Sequence, residues 1–81
     1  MSLEAMKNLV EEMAKGLVDL SEAVNVNAIE GEKTTVFELR VDKSEIGKVI
    51  GKQGKMAQAL RTIMSAVGAK FGVRVVLEIV D

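Results

Sequence analysis

The stretch Glu45-Ile46-Gly47-Lys48-Val49-Ile50-Gly51-Lys52-Gln53-Gly54-Lys55 decides how this 81-residue chain folds. Gly51 and Gly54 enclose two polar residues, with an apolar, basic half-turn before them and another lysine after. Glycine carries no Cβ penalty at positive φ, so a Gly-x-x-Gly link lets two helices meet through a very tight turn. The same glycines leave backbone N–H groups bare. A sugar-phosphate chain can approach such a loop closely, with the charge of Lys52 beside it.

Just before the loop, Asp42 to Ser44 offers helix-capping side chains, and Ile46, Val49 and Ile50 make one short apolar face. Beyond it, Met56, Leu60, Ile63, Met64, Val67 and Phe71 mark the stripe of a longer helix, brought to an end by Gly68 and Gly72. Val73, Val75, Leu77 and Ile79 then alternate with Arg74 and Glu78 as a last strand. Upstream, Val24, Val26 and Ala28 alternate with Asn25 and Asn27, and Thr35, Phe37, Leu39 and Val41 with Thr34, Glu38 and Arg40. The turn Glu30-Gly31-Glu32-Lys33 joins them as a β-hairpin. At the start, Leu3, Met6, Val10, Met13, Leu17 and Leu20 predict an amphipathic helix of about four to five turns. Ser2 can cap it, and Gly16 weakens its last turn. The expected order is α-β-β-α-α-β, an α+β fold in which one layer of helices covers one face of a three-stranded sheet. Residues 1–81 read as a single domain.

Composition narrows the chemistry. The hydrophobic fraction of 48% supports a real core, and there is neither Cys nor His. Disulfides, Cys or His metal ligation, thiol nucleophiles and His-based triads are therefore excluded. No apolar run is long enough to cross a bilayer, so a soluble, cytoplasmic protein is expected. Net charge is only −1, but its distribution is uneven. Arg40, Lys43, Lys48, Lys52, Lys55 and Arg61 are opposed locally only by Asp42 and Glu45. A charge cluster alone reads as a solvated face. With a Gly-x-x-Gly inside it, the same cluster reads as a meeting place for a polyanion.

With those residues placed between two helices, the chain resembles the KH family of nucleic-acid-binding domains in its type II order. Within it, the chain is similar to small stand-alone bacterial KH RNA-binding proteins. The resemblance covers essentially the whole length. It implies that Gly51, Lys52, Gln53 and Gly54 clamp the backbone of single-stranded RNA, a mode that holds about four nucleotides. Ile46, Val49 and Ile50 would line the groove wall against which bases pack. Lys48 and Lys55 flank the loop within reach of phosphates, and Arg61 is a weaker candidate. The resemblance further implies self-association, a larger KH-containing partner protein, and roles in RNA chaperoning and control of cell elongation. No cofactor or metal is implied.

Other readings compete. Walker A fails because only three residues separate Gly47 from Gly51 and Gln53 stands where Ser or Thr should hold magnesium. The G-x-G-x-x-G fingerprint fails at Val49. An enzyme is not expected. A protein-interaction module with little nucleic-acid binding is the stronger alternative, because Ala59, Ile63 and Ala66 form a small-residue shoulder suited to a helix of a second copy. Phe37 and Phe71 lie on apolar stripes and read as core, which disfavours an aromatic stacking surface. Gly47 reads as a packing glycine and the internal methionines as core filler.

Overall fold

The computed structural model describes residues 2–80. In chain order the elements are helix α1 (Leu3–Lys15), strands β1 (Asn25–Glu30) and β2 (Thr34–Arg40), helices α2 (Ile46–Ile50) and α3 (Lys55–Lys70), and strand β3 (Arg74–Ile79). The expected α-β-β-α-α-β order is the one found. Single 3₁₀ turns at Ser21–Ala23, Lys43–Glu45 and Lys52–Gly54 punctuate it.

The sheet has the order β1-β2-β3, with β1 antiparallel and β3 parallel to the central β2. A parallel neighbour requires a crossover connection, and the α2–loop–α3 segment is that crossover. Alternation sets the two faces of the sheet. Val26, Phe37, Leu39, Val75 and Leu77 turn inward and meet Met6, Val10 and Ala14 of α1 and Leu60 and Met64 of α3 in one cluster. Both long helices lie on this face. The opposite face is uncovered among the described residues, and register aligns Ile29, Val36 and Val76 across it.

Five local expectations change. Gly47 is not a packing glycine: it is exposed, with nothing within 4 Å of where its Cβ would stand. The first helix is shorter than its apolar spacing suggests. It opens where Ser2 Oγ accepts from the Ala5 N–H at 3.1 Å. It stops at Gly16, where the N–H groups of Leu17 and Val18 both turn back to the Ala14 carbonyl at 3.0 and 3.2 Å. Val18 then drops into the interior while Leu20 stays exposed. Val24 and Val41 fall outside the strands but still pack on the core. Phe71 is not core: it lies just past α3, 41% exposed, with Lys70 Nζ 5.8 Å from its ring centroid.

Gly68 does not end α3 either. It is a buried interior position where a Cβ would stand 2.5 Å from the Val73 carbonyl oxygen and 2.6 Å from Val75 Cγ2. The chain turns instead at Gly72, φ +71°. Glycine at position 68 therefore lets α3 lie directly against the start of β3.

Candidate nucleic-acid interface

One residue separates α2 from the turn into α3. Gly51 has φ 77° and ψ 173°, a region open essentially to glycine alone. A Cβ there would also sit 2.7 Å from Met56 Cβ and 2.9 Å from the Met56 nitrogen. Gly51 thus permits both the bend and the close approach of the two helices. Gln53 and Gly54 follow in the left-handed region, at φ 58° and 74°, and Gln53 is the one non-glycine with positive φ among the described residues. Space beyond Gly54 is open, with nothing within 4 Å of where its Cβ would be.

The loop is tied by the Gly51 N–H to the Gly47 carbonyl at 2.8 Å and the Gly54 N–H to the Gly51 carbonyl at 3.1 Å. The N–H groups of Lys52 and Gln53 take no partner among the described residues. Consecutive unpaired donors in a turn of this kind form an anion-binding concavity, and the N-terminal end of the 16-residue α3 adds the positive end of its dipole. Lys52, Gln53 and Lys55 are exposed.

The basic cluster divides once its contacts are known. Lys43, Lys52 and Lys55 make no ion pair among the described residues. Lys48 Nζ instead lies 2.9 Å from both Asp19 Oδ2 and Glu45 Oε2, and its bonds to Asp19 and then Glu45 raise its pKa. A phosphate would have to compete with two carboxylates for it. Arg61 Nε donates to the Leu77 carbonyl oxygen at 3.1 Å. Arg74, which begins β3, and Val80, just past its end, donate their N–H groups to the Lys33 and Leu39 carbonyls on the β2 side, so by alternation the Leu77 carbonyl faces the free edge of the sheet. Arg61 therefore covers part of a strand edge rather than standing free beside the loop.

The apolar wall divides too. Ile50 is 38% exposed and Ile46 half-buried, so both can offer surface to a base, whereas Val49 is wholly buried and seats α2 on the fold. Ala59, Ile63 and Ala66 are all exposed on α3.

Glu45, which in the sequence reads only as a negative charge opposing the basic cluster, is a structural centre of the site. The residue is 4% exposed. Its carboxylate accepts from the N–H groups of Asp19 at 2.7 Å and Leu20 at 2.8 Å as well as from Lys48. Those main-chain bonds, then the one from Lys48, hold its pKa down at about 2. Asp42 receives bonds from the hydroxyl and then the N–H of Ser44, which lower its pKa and fix the turn entering α2.

Comparison with known proteins follows the same outline. The family model described as KhpA/KhpB, KH domain matches residues 7–79. The RNA-binding protein KhpA of Aquifex aeolicus is 61% identical over 79 residues, covering 98% of this chain and all of its own. That of Borreliella burgdorferi is 51% identical over 90% of this chain and 89% of its own. That of Clostridium perfringens is 49% identical over 93% of this chain and all of its own. No solved structure matches.

Proposed function

The chain belongs to the KhpA/KhpB KH-domain family, and from that premise we propose that it is a cytoplasmic protein that grips single-stranded RNA by the loop Gly51–Gly54. The observation that carries this reading is the pair of partnerless N–H groups at Lys52 and Gln53, presented between two glycines and beside the unpaired Lys52 and Lys55. Phosphates approach those donors, and bases lie against Ile46 and Ile50. Val49 acts from beneath by seating α2. Lys48 serves the RNA only if it leaves its carboxylates. The role is that of an RNA chaperone or post-transcriptional regulator, with a larger KhpB-like KH protein as partner.

The exposed shoulder Ala59, Ile63 and Ala66 supports a homodimer in which α3 packs on its twofold copy. If that contact were the whole function, the loop would be idle. Replacing Lys52 and Gln53 together by Asp separates the readings. Two carboxylates then stand where phosphates belong, while both glycines and the core are untouched. Binding of a single-stranded oligonucleotide should be lost with little change in melting temperature. With two lysines at the backbone, log K for the unaltered protein should fall against log salt with a slope of about −1.4. Unchanged affinity in the double variant would reject the reading.

A further inference from the structure

α2 is a single turn of five residues, too short to hold its own direction in water. Its first-turn neighbour Glu45 makes no helix-capping bond with its side chain. That carboxylate is spent instead on a segment 25 and 26 residues away, the connection between α1 and β1, through the main-chain N–H groups of Leu20 and Asp19. Lys48, one turn on, closes the clasp by bonding Glu45 and Asp19 together.

The clasp lies on the far side of α2 from the wall formed by Ile46 and Ile50. At 100° per residue, Lys48 is about 160° round the helix from each of them. It therefore braces α2 without occupying surface that a base or phosphate would need. What it braces reaches the loop directly, since the Gly51 N–H is bonded to Gly47 inside α2 and the Gly54 N–H to Gly51.

We infer that Glu45 is a positioning residue for the RNA-binding loop, its buried carboxylate tying the α1–β1 connection to α2 and so setting the direction in which Gly51–Gly54 presents its donors. The consequence for affinity rests on the RNA-binding reading. The consequence for loop order does not, and the experiment uses both. Amide exchange is measured by NMR on the free protein and on Glu45→Gln, alongside binding of a fluorescein-labelled ten-nucleotide oligouridine across a salt series.

In Glu45→Gln the Gly51 and Gly54 amides should exchange about tenfold faster while those of Phe37 and Leu39 do not change, the pattern of a local opening. Oligouridine affinity should fall about three- to tenfold, because a loosened loop must be ordered on binding. The salt slope should stay as in the unaltered protein, since no phosphate contact is removed. A folded Glu45→Gln protein with unaltered exchange at both glycines overturns the assignment. Failure of the unaltered protein to bind oligouridine would count against RNA binding alone, with the exchange comparison still deciding the role of Glu45. If Glu45→Gln does not fold, Glu45→Asp decides, because it keeps the charge but draws the carboxylate back from the Asp19 and Leu20 N–H groups. Faster exchange confined to the two glycines, with an unchanged salt slope, supports the clasp. Unaltered exchange at both glycines overturns it.

Discussion

Gly51 and Gly54 are alike in sequence and different in what they do. Gly51 combines a glycine-only backbone conformation with a Cβ position already filled by Met56. Gly54 is in the ordinary left-handed region with open space beyond it. Gly51→Ala should therefore cost about 3 kcal/mol, from backbone strain and overpacking together. Gly54→Ala should cost about 1 kcal/mol, the left-handed penalty alone. Melting curves should separate the two variants by about 8–16 °C. Equal losses would mean that the helix–helix approach at Gly51 is looser than described. Glu45 gives a second test at this scale. Its folded pKa of about 2 lies below the ordinary 4.5, so the unfolded chain binds its proton first. The stabilisation is present above about pH 4.5 and lost as pH falls towards 2. The melting temperatures of the unaltered protein and Glu45→Gln should accordingly converge over that range, and a constant difference would contradict the clasp. The positive-φ turn at the two glycines was legible in the sequence; the Met56 contact that sets Gly51 apart and the Glu45 clasp were not. A glutamate bonded to N–H groups 25 residues away reads locally like a solvated one, and Lys48 reads the same whether paired or free.

Among the elements, the strands and the two long helices were readable because a period of two or 3.6 repeats over several residues within each. Their ends were not, because ends depend on tertiary contacts. Leu17 and Leu20 continue the apolar spacing of α1, yet the chain leaves the helix at Gly16 so that Asp19 and Leu20 can reach Glu45. Phe71 continues the stripe of α3 but falls beyond the helix and outside the core. Gly68 carries the clearest element-level prediction. An interior helix Gly→Ala change ordinarily stabilises by about 0.5–1 kcal/mol. Here the new methyl would meet the Val73 carbonyl and Val75 side chain well inside contact distance. The sign should reverse to a loss of about 2–3 kcal/mol, seen as a melting temperature lower by about 8–24 °C. A raised melting temperature would show that α3 and β3 are not pressed together at that point. Arg61 belongs to the same junction, tied to the β3 edge, and edge strands left bare invite pairing with another chain.

For the molecule as a whole, the fold and the location of the loop were legible, and the allocation of charge was not. Net charge is −1, and the basic cluster that reads as one patch is divided in the structure. Lys48 and Arg61 hold the fold together, whereas Lys52 and Lys55 make no ion pair among the described residues and stand beside the loop. The unpaired donors at the loop are thus few and local, and the sheet's outer face, with its row of Ile29, Val36 and Val76, lies on the other side of the sheet from both long helices. Affinity for an isolated domain should be modest for that reason, and the contact should leave a compact footprint. Backbone amide shifts recorded while a short single-stranded RNA is titrated into the protein test this most directly. The largest changes are expected at Lys52, Gln53 and Gly54, with smaller ones at Ile46 and Ile50 and none along Ile29, Val36 and Val76. Saturable binding that leaves the Lys52 and Gln53 amides unmoved would contradict the account.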